Sequence, residues 1–291
     1  MYRAIAANKR NTILIMALFV GVVGAIGWAV SLYYGGDIKV TYFVFVVAGL
    51  YALMQYFAAS KLAVAMTGAK QIQKRDNPRL YRIVENLAIT TGMPTPGIYI
   101  IQDSSPNAFA TGRDPRHAIV AATTGLIDVM DDNELEAVMA HEMGHIQNYD
   151  IRVSMITFGL VSAIGLITDI TLRMMFYGND RDNDSSPVAM LIGIVVLVLS
   201  PIVAALIQMA VSRQREYLAD ATSAMTTRNP NSMISALEKL RTAKPMKKQS
   251  ASTSHLFINN PLKPGFVSKL FSTHPPLDDR ISRLRGNEGK F

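Results

Sequence analysis

The residues best suited to do chemistry in this chain are His141-Glu142-Met143-Gly144-His145. Residues four apart share one face of a helix, so both imidazoles can reach a single metal ion. Glu142 lies about 100° round the same helix, close enough to take a proton from a water at that metal. Two histidines and a nearby carboxylate are what a hydrolytic zinc site needs. The chain has only five histidines, so this spacing around a glutamate is hard to reach by chance. It has no cysteine, which excludes thiolate ligands and a disulfide framework. Any zinc must be held by His and carboxylate.

A catalytic zinc takes three protein ligands and keeps one position open. Glu216 and Asp220 are four apart on one helical face. Glu216 can be the third ligand. Asp220 can accept a hydrogen bond from a ligand histidine and fix its ring. The bland alternative is two solvated acids on a basic surface helix. Ala219 and Ala221 beside Asp220 speak for close packing instead.

These groups need elements to hold them. Asp131-Asp132-Asn133-Glu134 supplies N-cap candidates and acids for a first turn. Leu135, Val138, Met139 and Met143 then recur at helical spacing, so the His141 segment reads as a helix. Gly144 suggests a backbone passing close by. Asn77-Pro78 starts an earlier helix, with Leu80, Ile83, Val84, Leu87 and Ala88 inward and Gly92 at its end. Residues 97–101 and 117–122 read as strands. Between them, Asn107 to Gly112 can be an edge strand that an extended substrate pairs with, or an ordinary turn and strand. Asn229-Pro230 caps a further helix, and Ile281 and Leu284 face inward from a last one. Leu62 to Gln73 reads as a short amphipathic stretch, and Lys244 to Ser254, rich in Lys and Ser, as a loop.

Composition points to a bilayer. Apolar residues make up 49% of the 291 residues, high for a soluble enzyme. Thr12 to Tyr34 and Val40 to Ala59 are each about twenty residues, long enough to span, and a short link makes them a hairpin. Pro187 to Val211 is another span. Val153 to Leu172 carries more polar groups and reads as a span or as a buried helix. Asp169 sits near one end, where water reaches it, which favours a span. This is a mainly α integral membrane protein: four transmembrane helices and a cytoplasmic α+β domain with a small sheet. The expected division is a hairpin over 1–62, a catalytic part over 63–151, a second hairpin over 152–211 (spans 153–172 and 187–211) and a cytoplasmic part over 212–291.

The net charge of +7 could mark a nucleic-acid binder, but its placement says otherwise. Arg3, Lys9 and Arg10 precede the first span, and Lys61, Lys70, Lys74, Arg75, Arg79 and Arg82 follow the second. The outer links are neutral to acidic. Both termini and His141 therefore lie in the cytoplasm, and the surplus serves topology and anionic lipid. Given that orientation, His145 and Glu216 sit within roughly 12 Å of the same membrane face, at 1.5 Å per helical residue.

With these residues in place, the chain resembles the HtpX-type membrane zinc metalloproteases, relatives of the CAAX prenyl proteases. The resemblance spans nearly the whole chain. It rests on the membrane hairpin, His141-Glu-x-x-His145, Glu216-x-x-x-Asp220, and Thr273-His-Pro-Pro276 with Arg280. It implies a zincin-like fold, with His141, His145 and Glu216 as ligands of one zinc per chain and Glu142 as general base and acid. It implies that Asn107, Ala108 and Phe109 meet the substrate backbone, and that His274 and Arg280 assist. It also implies quality control of membrane proteins in a bacterial plasma membrane, on protein or peptide substrates; the placement of the charges already speaks against a nucleic-acid partner. Self-association is left open.

Rival readings share parts of this. A prenyl-peptide protease would have every catalytic residue. An intramembrane protease is disfavoured by Asp131 to Glu136, which cannot sit cheaply in hydrocarbon. A scaffold with a structural metal would need four protein ligands, and only three are evident.

Overall fold

A computed structural model describes residues 2–33, 38–157, 159–160, 213–244, 246, 256–259 and 275–287. Two long helices come first, α1 (Tyr2–Tyr33) and α2 (Ile38–Thr67). Both contain stretches apolar and long enough to cross a membrane, Ala6–Gly24 and Thr41–Ala58. Most of each stretch is uncovered by protein, with Ile13, Leu14, Phe43, Val46, Leu50 and Phe57 exposed. Such an apolar surface on a paired hairpin suits lipid. Among the described residues these are the two candidate spans. Of the expected second hairpin, residues 187–211 lie outside the described residues. The stretch from Val153 is described only as far as Leu160, and Val153, Met155, Ile156 and Leu160 pack against α1 and α2.

α2 continues unbroken to Thr67, past the boundary expected at 62. Lys70–Gln71 then forms a short strand, β1, where an amphipathic stretch was expected. Gln71 pairs with Tyr99 in the next strand, a long-range contact with no local sequence signal. α3 (Pro78–Thr91) starts and stops as its sequence says. Asn77 caps the Leu80 amide at 2.9 Å, and Gly92, at φ +66°, closes the helix in the left-handed region.

The strands β2 (Gly97–Ile101), β3 (Ala108–Gly112) and β4 (Ala118–Thr123) complete a sheet ordered β1-β2-β4-β3. β2 and β4 are parallel, and β3 is antiparallel to β4. His117, expected in the strand, belongs to a 3-10 turn instead, because the Asp114 side chain caps its amide. β3 is buried throughout, since both its faces are covered. Ala108 and Ala110 belong to the core around α3 and the later helices, whereas Phe109 belongs to a second core with Val153 and packs its ring on Phe257.

Two helices follow, the short α4 (Thr124–Val129) and the central α5 (Asp132–Gln147). Asp131 and Glu134 form a reciprocal capping box at the start of α5. Glu134 also receives Ser235 at 2.6 Å, which ties α5 to a later helix. α5 is buried almost all round. The sheet lies on one side, and α6 (Arg213–Thr227) and α7 (Pro230–Arg241) lie on the other. Asn229 caps α7 at Ser232, as its Asn-Pro start predicts. The last helix, α8 (Leu277–Arg285), packs on α7 through Ile281 and Leu284.

Candidate metal centre

α5 presents His141, Glu142 and His145, and α6 brings Glu216 and Asp220 alongside. The Ser223 hydroxyl donates to the Ala137 carbonyl at 2.6 Å and pins the two helices together. Gly144 faces Ala219 and Thr222 of α6. A methyl there would meet them at 3.4–3.5 Å, ordinary contact, so the approach is close without demanding glycine.

One ligand atom from each of His141, His145 and Glu216 lies within 4.8 Å of the others. The two Nε2 atoms are 3.2 Å apart. Glu216 Oε1 is 3.5 Å from His145 Nε2, and its Oε2 is 3.7 Å from His141 Nε2. Each ring is held from behind. His141 Nδ1 is 3.0 Å from Asp220, and His145 Nδ1 is 3.0 Å from Asp150. A carboxylate accepts the Nδ1 proton, so both Nε2 lone pairs turn inward and face each other. That arrangement is repulsive unless a cation lies between them. Two nitrogens bound to one tetrahedral zinc at about 2.0–2.1 Å stand about 3.3 Å apart, so the observed separation suits that ion.

Formal charge agrees. Glu142, Asp150, Glu216 and Asp220 are all buried here, against the guanidiniums of Arg215 and Arg280. Four carboxylates against two guanidiniums leave two negative charges, which one divalent ion neutralises. His145 responds to these carboxylates. Burial pulls its pKa down, but Glu216 and Asp150 outweigh burial and carry it up to about 9. His141 moves the other way, to about 4, through burial and the neighbouring Arg280.

Arg280 is wholly buried and grips Asp220 with a two-pronged fork, Nε to Oδ2 at 2.9 Å and Nη2 to Oδ1 at 2.6 Å. Its Nη1 lies 3.6 Å from Glu216. Burial opposes ionisation of Asp220, yet Arg280 holds its pKa down to about 2. Arg280 Nη2 is also 3.4 Å from both ring nitrogens of His141, farther than its 2.6 Å bond to Asp220. Its main attachment is to Asp220.

Asn107 stands at the start of β3, 1% exposed. β3 is the edge of its sheet, as expected, but the edge is not bare. Ile258 N–H donates to the Ala108 carbonyl at 3.0 Å, and Phe109 bridges to Phe257. Asn107 imitates a strand residue: its Nδ2 donates to the Asn259 carbonyl at 2.8 Å, and its Oδ1 accepts the Asn259 amide at 3.1 Å. His274 lies outside the described residues.

Sequence reasoning missed Asp150 and Arg215. The signal for Asp150 was there, a carboxylate five residues after His145 in the polar turn Gln147-Asn148-Tyr149. For Arg215, neighbour of Glu216, nothing local separates a partly buried cation from an ordinary basic residue at a membrane face.

The model of peptidase family M48 matches residues 74–288. The chain is similar to proteins described as "Protease HtpX homolog". One from Tropheryma whipplei (strain Twist) is 53% identical over 100% of both chains. One from Limosilactobacillus reuteri (strain DSM 20016) is 46% identical, covering 98% of this chain and 99% of its own. One from Streptococcus gordonii is 42% identical over the same shares. The crystal structure of S. mikatae Ste24p shares the fold at TM-score 0.52 and 20% identity, covering 98% of this chain and 67% of that one. With the family match running from Lys74 past the end of α8, and with relatives aligned end to end, this chain belongs to peptidase family M48 and is a membrane-bound metalloprotease.

Proposed function

We propose that this protein is a zinc endopeptidase in which His141, His145 and Glu216 hold one zinc ion per chain. The observation that carries the reading is the pair of Nε2 atoms 3.2 Å apart, with both Nδ1 atoms committed to carboxylates. Family M48 enzymes are zinc-dependent in general, and the donor set fits that ion. When bound, zinc supplies Lewis acidity at the scissile carbonyl and to the attacking water. Glu142 accepts that water's proton as its oxygen bonds to the carbonyl carbon, then passes the proton to the leaving amine. It is 2% exposed, and its charge reaches both His145 and Arg280. Asp220 holds His141 in the tautomer that presents Nε2, and Arg280 holds Asp220.

The substrate backbone pairs with β3 at Asn107, Ala108 and Phe109. A segment of this chain already meets that edge in extended pairing, Asn107 to Asn259 and Ala108 to Ile258. Pairing through main-chain groups tolerates many sequences, which suits a protease acting on damaged or misassembled membrane proteins. This chain aligns over its full length with an HtpX homologue, whereas the likeness to Ste24p is one of fold, so the prenyl-peptide reading is not favoured. The domain division is the one read from the sequence, apart from the longer α2. The positive-inside pattern puts the site on the cytoplasmic face of a bacterial plasma membrane. A cysteine introduced at Asn183 should label from outside, and one at Ser252 only after permeabilisation; the reverse pattern overturns the orientation.

The decisive variant is Glu142→Gln, purified in detergent and loaded with zinc. It should keep stoichiometric metal and lose casein cleavage by at least the 10²–10⁴-fold that acid–base catalysis contributes, roughly. Undiminished turnover by the zinc-loaded variant would end the mechanism.

A further inference from the structure

Asn8 belongs to α1, a helix whose composition explains it as a membrane anchor. Yet Asn8 is 4% exposed and faces the peptidase domain. Its Nδ2 donates to the Asn148 carbonyl at 2.9 Å and to Asp150 Oδ1 at 2.6 Å. The other Asp150 oxygen, Oδ2, is 3.0 Å from His145 Nδ1. One carboxylate therefore joins a membrane helix to an imidazole, with one oxygen on each. Arg215 Nε stands 3.9 Å from Oδ1, on the same side as Asn8.

The backbone is bent to make this join. α5 ends at Gln147, and Asn148 closes it with its amide on the Gly144 carbonyl. Tyr149 then takes φ +62°, in the left-handed region that residues bearing a side chain seldom adopt. That single residue turns the chain so that Asp150 faces back towards His145. Lys9 and Arg152 sit over the Tyr149 ring at 4.8 and 4.9 Å, and Asn8 holds Asn148 and Asp150 on either side of it. Strain of this kind persists only where the surroundings over-determine it. Three of the groups that do so, Lys9, Arg152 and Asn8, lie outside the helix that carries His145.

An amide suits the position. Its two N–H groups serve two acceptors at once, a carbonyl and a carboxylate. Being neutral, it orients the carboxylate without neutralising the charge that His145 depends on. An acid would repel Asp150, and an apolar side chain would leave both acceptors buried without this donor.

We propose that Asn8 is a positioning residue of the metal centre: acting through Asp150, it sets the ring orientation of His145. The first membrane helix is thus part of the peptidase site, although the family match begins only at Lys74. The proposal rests on His145 being a metal ligand.

The test uses the full chain in detergent, stripped of metal by chelation. Zinc affinity is read by competition with a chelating indicator, and site geometry by the visible spectrum of the Co²⁺-loaded protein. Asp150→Ala should weaken zinc binding by about 10- to 100-fold, the usual effect of losing a ligand's hydrogen-bond partner. Asn8→Ala should lose less, about three- to tenfold, because the carboxylate keeps its bond to the ring and loses only its orientation. It should also shift the cobalt bands. In the double variant the loss should equal that of Asp150→Ala alone, since Asn8 acts only through that carboxylate. A purely structural role would instead make the two losses multiply and leave the cobalt spectrum unchanged. Asn8→Leu, which keeps the branched side-chain shape without the donors, repeats the test if the alanine variant unfolds. Unaltered zinc affinity in folded Asn8→Ala, or full multiplication in the double variant, overturns the proposal. His145→Ala is the separate control: if it retains zinc at wild-type affinity, the ligand assignment itself falls, whatever Asn8 does.

Discussion

Replacing Arg280 by methionine keeps much of the side-chain volume and removes the charge. In the structure that charge is wholly buried, forked onto Asp220 at 2.6 and 2.9 Å and 3.6 Å from Glu216. Arg280→Met therefore leaves two carboxylates in the interior without their cation. Removing one partner of a buried ion pair costs about 3–5 kcal/mol, because the remaining charge stays desolvated. For a folded unit of this size, 1 kcal/mol corresponds to about 2–4 °C, so the metal-free protein should melt roughly 6–20 °C lower. Zinc should recover part of that loss, since it supplies positive charge to the same carboxylates. Arg280→Lys should fall between, because an ammonium restores the charge but not the two-pronged fork. The assay is thermal unfolding in detergent, in chelator and again with zinc. A shift below about 2 °C in chelator, or the same shift with and without zinc, would refute the reasoning.

Three further outcomes follow from the same geometry. Glu216→Ala should lose stoichiometric zinc, whereas Asp220→Ala should weaken binding about 10- to 100-fold, both read by metal analysis after dialysis; wild-type metal content in the Glu216 variant would place the third ligand elsewhere. Because Glu216 and Asp150 overcome burial and raise His145 to about 9, the protonated ring is favoured below that pH and zinc must displace its proton. Zinc affinity should thus fall about tenfold per pH unit as pH drops through neutrality, with about one proton released per ion bound. Calorimetry in buffers of different ionisation enthalpy measures that release, and its absence would contradict the assignment. Ile258→Pro removes the N–H that donates to Ala108 at 3.0 Å, one backbone bond of about 1 kcal/mol. If substrate takes that edge, KM for an extended peptide should fall about fivefold with kcat unchanged, and a constant KM in a folded variant would detach β3 from substrate binding.

How much of this was legible in the chain depends on distance along it. The His141–His145 spacing, the Asp131 and Glu134 capping box, and the Asn-Pro starts of α3 and α7 are all local. Each is decided by helix geometry and by backbone groups within four residues, so residue types alone specify them. The apolar runs of α1 and α2 are equally local, since the solvent that they require follows from their composition. Glu216 and Asp220 could be placed on one face for the same reason, though not which group each would meet.

What tertiary structure alone decided lies in the pairings across long separations. Arg280 reaches Asp220 across 60 residues, Asn8 reaches Asp150 across 142, and Asn107 meets Asn259 across 152. No periodicity announces such a contact, because a buried Arg, Asn or Asp has the same local spacing as a solvated one. These polar groups can be buried only where packing brings each donor to an acceptor, and that is settled when the helices and the sheet close on one another. The residues that can bind a metal were therefore written in the sequence. The groups that hold those residues in position became visible only where the first helix meets the turn after α5 and the last helix meets α6.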